Sequence, residues 1–211
     1  MPNITLYYVH DPMCSWCYAF KPAMSALEKQ LPGTIQLKKI VGGLAPDTMT
    51  PMPEETIKMV KLSWQRIEQR VPNIHFNQDF WTKTTPIRST YPSCRALIAA
   101  QLQSEVLGQK MLHEIQQAYY QQAENPALSE TLGLCAERAG LDTKQYQQDV
   151  TSKAVESLFQ QELSLSQKLG APSFPSLFLD IEGSIWPVLI DYEDASIITE
   201  EINVLIEMAL D

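Results

Sequence analysis

The chain has 211 residues, 45% of them apolar, and 25 acidic against 16 basic side chains give a formal net charge of −9. The apolar content excludes an intrinsically disordered chain, and the length suits one domain or one domain with a large insertion. An acidic chain with no basic stripe disfavours a nucleic-acid partner, and no apolar run approaches the ~20 residues of a membrane-spanning helix.

The first segment, 4–9, is rich in β-branched and aromatic residues and reads as a strand apolar on both faces, which suits a buried position in a sheet. It has no basic region followed by an apolar one, so it is not read as a signal peptide, and a cytoplasmic location is expected. His10, Asp11 and Pro12 interrupt the strand. A helix is expected from about Cys14 to Gln30, kinked at Pro22 and stopped by Pro32 and Gly33. A second strand over 34–41 completes a βαβ unit, which predicts a parallel pair. Next come expected helices over 54–70, 92–107, 109–123, 129–139 and 142–169, with a loop-like stretch near 72–90. A hairpin is expected from 176–181 and 185–190, with Pro187 pushing its second strand to a sheet edge, followed by a helix over 192–210. The fold class is therefore α/β in the order β-α-β, helical insertion, β-β-α, with 1–52 and 170–211 forming one domain and 53–169 the insertion.

Four cysteines then require an account, because structural disulfides are not expected in a reducing compartment. Cys14 and Cys17 have Cys-x-x-C spacing just past the carboxyl end of the first strand, where open α/β sheets present reactive groups. The unpaired N–H groups and positive end of a helix favour a thiolate at Cys14. Cys17, one turn on, faces the same side and can resolve a mixed disulfide. The competing reading is half a zinc site, but Cys94 and Cys135 stand apart and no second Cys-x-x-C exists, so no metal is expected. Cys94 and Cys135 are read as small buried apolar residues, and Trp16 as an apolar platform beside the pair. Asp11 either orients the loop or caps the helix, with capping preferred. The stretch 49–52 is read as a plain connector over the alternative of a wall of the substrate groove.

The run His10-Asp11-Pro12-Met13-Cys14-Ser15-Trp16-Cys17, then Pro22, then Ser173-Phe174-Pro175-Ser176 before a hairpin together resemble the DsbA-like branch of the thioredoxin superfamily, including cytoplasmic predicted disulfide isomerases and FrnE-like oxidoreductases. The resemblance implies a thioredoxin-like fold, with Cys14 attacking and Cys17 resolving. It implies Pro175 as a cis-proline opposite them, with Pro172 the rival, and the Phe174 backbone beside Cys14 for an extended substrate. The implied activity is thiol-disulfide exchange or disulfide isomerisation on a protein or peptide substrate. No cofactor is tightly bound, and glutathione is a candidate redox partner. Two alternatives stand. One is a glutathione-dependent isomerase or transferase of the kappa-class type, in which a serine commonly replaces the nucleophile. The other is a peptide-binding module without turnover. The buried carboxylate that many relatives place six residues before the first cysteine is replaced by Tyr8, so the proton leaving Cys17 is assigned to water, His10 or Asp11.

Overall fold

The computed structural model describes residues 2–210, so the outermost residues of the expected domain boundaries, 1 and 211, lie outside it. Strand β1 (Ile4–His10) is followed by helix α1 (Ser15–Gln30) and strand β2 (Ile35–Val41). Seven helices follow: α2 (Glu54–Arg70), α3 (Phe80–Lys83), α4 (Tyr91–Gln103), α5 (Glu105–Tyr120), α6 (Ser129–Ala139), α7 (Thr143–Asp149) and α8 (Lys153–Lys168). Strands β3 (Ser176–Ile181) and β4 (Ser184–Val188) then lead to helix α9 (Ala195–Leu210). The sheet order is β2-β1-β3-β4, with β1 parallel to β2 and antiparallel to β3. The fold is α/β with a helical insertion, as the element order predicts.

Period-2 alternation in β1 explains how the sheet is covered on both faces. Ile4, Leu6 and Tyr8 pack with Phe20, Met24 and Leu27 of α1 and with Ile198 and Ile202 of α9. Val9 points the other way and packs with Ile40, Leu169 and Phe178. Pro187 lies in β4, an edge strand, where a missing N–H costs no ladder bond. The insertion has its own core around Trp64, wholly buried against Phe76, Phe80, Trp81, Tyr119 and Tyr120. That same core takes in Met13 and Ala19 from beside the cysteine pair.

Several boundaries differ from the sequence reading, each for a local reason. His10 continues β1, since it pairs with Val41. The α4–α5 break falls at Ser104, whose hydroxyl accepts from the Leu107 N–H (3.1 Å), and not at Gly108. Gly108 stays helical because a Cβ there would strike Gln101, so the glycine lets α5 approach α4. The segment expected as one helix over 142–169 is two, because Ser152 caps α8 through the Val155 N–H (3.1 Å). The stretch read as a loop holds the short helix α3. Helix α9 starts at Ala195, after Asp194 accepts from the Ser196 N–H (2.8 Å), which leaves Tyr192 outside it.

Glu162 of α8 ties the insertion to the sheet: its Oε2 accepts from the Val41 N–H at 2.7 Å. Burial pushes its carboxyl up to about 7 against the opposing pull of that hydrogen bond. A carboxyl that ionises near pH 4.5 unfolded and near 7 folded binds its proton more tightly in the native state. Its contribution is therefore full at acidic pH and is lost as pH rises through 7. Stability is expected to fall by about 1–3 kcal/mol between pH 5 and 8 from this group. Glu162→Gln keeps an acceptor for Val41 and removes the titration, so urea unfolding of the variant should lose that part of the pH dependence.

Candidate functional site

Cys14 caps α1 in extended conformation (φ −82°, ψ 117°), and its own backbone N–H bonds to the Asp11 carbonyl (3.1 Å). Both thiols of the pair are free and nearly closed to solvent, Cys14 at 6% and Cys17 at 2% exposure. The outer thiol contacts the opposite loop, Cys14 Sγ donating to the Phe174 carbonyl at 3.4 Å. The Phe174–Pro175 peptide bond is cis. Pro172, the rival position, lines the cleft above Cys14. Burial first, then the adjacent Cys14 sulfur, push the Cys17 thiol well above the usual thiol range.

Gly42 holds this arrangement from below. A Cβ built there would overlap the Phe174 ring. Gly42→Ala must therefore displace that ring and the carbonyl above Cys14. We expect a stability loss of about 1–3 kcal/mol from overpacking, measured by urea unfolding, together with slower alkylation or exchange kinetics at Cys14.

Asp11 is wholly buried, and it does not cap α1. Its Oδ1 accepts from Met13 N–H (2.8 Å), and its Oδ2 accepts from Leu44 N–H (2.7 Å) and Thr90 Oγ1 (2.6 Å), with Cys94 Sγ at 3.6 Å. The preferred capping role is thus replaced by the alternative one: Asp11 orients the cysteine loop by fastening it to the loop after β2 and to the start of α4. Cys94 is buried as expected, but its thiol points at a carboxylate, which makes it more than an apolar filler. Burial raises the Asp11 carboxyl, and the four donors pull it back.

A second, smaller cavity of about 130 Å³ lies on the inner side of the pair, lined by Tyr8, His10, Cys17, Glu28, Lys39 and Gln116 among others. His10 stacks on Tyr8 there (4.9 Å between ring centroids, 11° between planes). Burial and then Lys39 push His10 down to about 3, so it is neutral at physiological pH and a weak base. Lys39 is paired with Glu28 at 2.8 Å.

Above Cys14 lies a cleft of about 380 Å³ between the two loops and the insertion. Trp16 lines it, half-buried and edge-on to Tyr192 (5.3 Å). The roof is made by residues that sequence reasoning assigned elsewhere: Met52, Met59, Val60 and Trp64, then Ile87, Arg88, Thr90 and Tyr119. The stretch 49–52 is therefore not a plain connector, since Met52 walls the cleft and Pro51 bridges to Ile87. Tyr119, read as helix packing, does both jobs. Among the described residues no group of His, Cys, Asp and Glu forms a metal-binding cluster.

This architecture, with the pair at the helix start and the proline loop facing it, is that of a thioredoxin-like protein. The chain belongs to a thioredoxin family whose sequence profile matches residues 7–182. Among solved structures it superposes on a protein from Nitrosomonas europaea provisionally called a disulfide isomerase, with TM-score 0.83, 20% identity and 98% of each chain covered. It also superposes on the cytosolic disulfide reductase DsbM from Pseudomonas aeruginosa, with TM-score 0.74, 23% identity, 98% of this chain and all of the other covered. DsbM is also known with GSH (TM-score 0.71). Among curated proteins it is 24% identical over 180 residues to the ClpXP adapter protein SpxH of Halalkalibacterium halodurans, covering 82% of this chain and 57% of SpxH. The chain thus spans less than two thirds of the length of these curated relatives. No described helix is long and apolar enough to cross a membrane.

Proposed function

We propose that the protein is a cytoplasmic thiol-disulfide oxidoreductase or disulfide isomerase acting on disulfide-bearing peptides or proteins, with glutathione as a redox partner. The observation that carries this reading is the Cys14 thiol held at the start of α1 against the Phe174 carbonyl, with Cys17 buried behind it. The Cys14 thiolate attacks a substrate disulfide, making one S–S bond to the substrate and releasing one substrate thiol. Cys17 then attacks Cys14, releasing the second thiol and leaving a Cys14–Cys17 disulfide. Two electrons pass to the substrate, and two protons leave with the released thiols. Two equivalents of glutathione, becoming its disulfide, return the pair to the dithiol. The intact Cys17 weighs against the kappa-class type of isomerase, which needs no resolving thiol. Similarity to DsbM supports the reducing direction, and the solved DsbM–GSH complex supports glutathione as partner.

A second reading, an adapter that presents a partner without turnover, draws on the similarity to SpxH. It requires neither thiol.

The test is an equilibrium redox titration in glutathione buffers, with alkylation and mass spectrometry to locate oxidised residues. We expect one two-electron transition confined to Cys14 and Cys17. The absence of an intramolecular disulfide at every poise would overturn the oxidoreductase reading.

A further inference from the structure

We propose that Arg88 makes the cleft over Cys14 a receptor for small peptide disulfides bearing a carboxylate close to the sulfur, with the Arg88 guanidinium as that carboxylate's partner. The inference rests on the oxidoreductase reading and names its substrate class.

The cleft is apolar apart from a few groups, and Arg88 is the charged residue among those described as lining it, in a chain of net charge −9. Of the other arginines, Arg66 is exposed to solvent and three are engaged. Arg95 is paired with Asp47 (2.6 Å) and Glu156 (2.7 Å), Arg138 is paired with Glu124 (2.8 Å), and Arg70 lies over the Tyr192 ring (5.5 Å). Arg88, half-buried, makes no ion pair or side-chain hydrogen bond among the described residues. Asp11 is the carboxylate whose charge also reaches neighbouring Tyr119, and it is already saturated by Met13, Leu44, Thr90 and Cys94. A guanidinium half withdrawn from water and left unpaired is costly unless a ligand completes it.

Two further features lie beside Arg88. Trp64 is wholly buried and lines the same cleft, and its indole N–H has no partner among the described residues. The backbone on either side of Arg88 is fixed in advance. Ile87 bridges to Pro51, the Ser89 hydroxyl accepts from Thr48 N–H (3.2 Å), and Thr90 N–H donates to the Ala45 carbonyl (3.0 Å). The fixed backbone limits where the side chain can reach, and guanidinium matches carboxylate in two-point geometry. The volume, about 380 Å³, is that of a small-molecule site.

The test compares the second-order rate constant for a single turnover, in which the pre-reduced Cys14–Cys17 dithiol is oxidised to its disulfide and two thiols are released, for glutathione disulfide, which carries carboxylates, with that for bis(2-hydroxyethyl) disulfide, which is neutral. In R88Q the ratio of the two should fall about 10- to 100-fold relative to wild type, the range for losing a charged hydrogen-bonded contact. R88K should restore part of it. A ratio unchanged in R88Q overturns the proposal. So does an R88Q loss confined to an acidic unfolded protein disulfide, which would place the carboxylate on a macromolecule. If the wild type reduces neither disulfide, the oxidoreductase reading fails by itself. Calorimetric titration with S-methylglutathione then decides the anion site: binding to wild type that is lost in R88Q sustains it, and equal or absent binding in both removes it.

Discussion

Cys14→Ser is expected to abolish disulfide exchange, lowering turnover of a model disulfide by at least about 10³-fold, since the attacking sulfur is then gone from a machinery that acts as a unit. Cys17→Ser should behave differently. The first attack survives, because Cys14 keeps its place at the start of α1 and its contact with the Phe174 carbonyl. The reaction then halts at a mixed disulfide, which non-reducing electrophoresis and mass spectrometry would catch as a covalent adduct on Cys14. The asymmetry follows from burial: Cys17 is the more enclosed, and burial and the neighbouring sulfur hold its proton on. An external disulfide therefore meets Cys14 first. Exchange that persists in Cys14→Ser would remove the thiol mechanism. A partner-binding activity indifferent to both substitutions would favour the adapter reading.

The second large effect is on stability. Asp11→Ala should cost about 3–5 kcal/mol in urea unfolding, because it strips acceptors from two buried donors and one half-buried one. Met13 N–H and Leu44 N–H lose their partner at once, and the Thr90 hydroxyl is left with only the Ala45 carbonyl at 3.4 Å. Asp11→Asn retains one acceptor oxygen and turns the other into a donor that faces donors, so about 1–3 kcal/mol is expected. A loss below about 1 kcal/mol in the alanine variant would mean that the loop is not fastened through this carboxylate.

The contrast between Asp11 and the cysteine pair shows what a sequence can disclose. Cys14 and Cys17 are legible because their chemistry lies within one turn of helix, and helices α2 and α6 are legible because their patterns are local. Asp11 was misassigned because its main partner is Thr90, 79 positions away, and nothing in either segment announces the other. The cleft roof has the same character. Met52, Trp64, Arg88 and Tyr119 come from four segments, and each reads alone as connector, core or surface. The misplaced α4–α5 break has a subtler cause: Gly108 carries the signature of a helix breaker but serves close packing against Gln101. The break falls instead at Ser104, whose hydroxyl caps α5 through the Leu107 N–H.

The position of β1 also governs the order in which the protein can assemble as it is synthesised. One edge of β1 pairs with β2, which follows after one helix, and the other edge pairs with β3, which follows only after seven more described helices. The nascent chain therefore carries a half-built, apolar sheet with an open edge while the whole insertion emerges from the ribosome. Closing so long a loop slows this pairing, and β4 and α9 have no complete sheet to dock on before it forms. Until β3 docks, the loop that carries Phe174 is not in place, so the thiol pair has no opposing wall during most of translation.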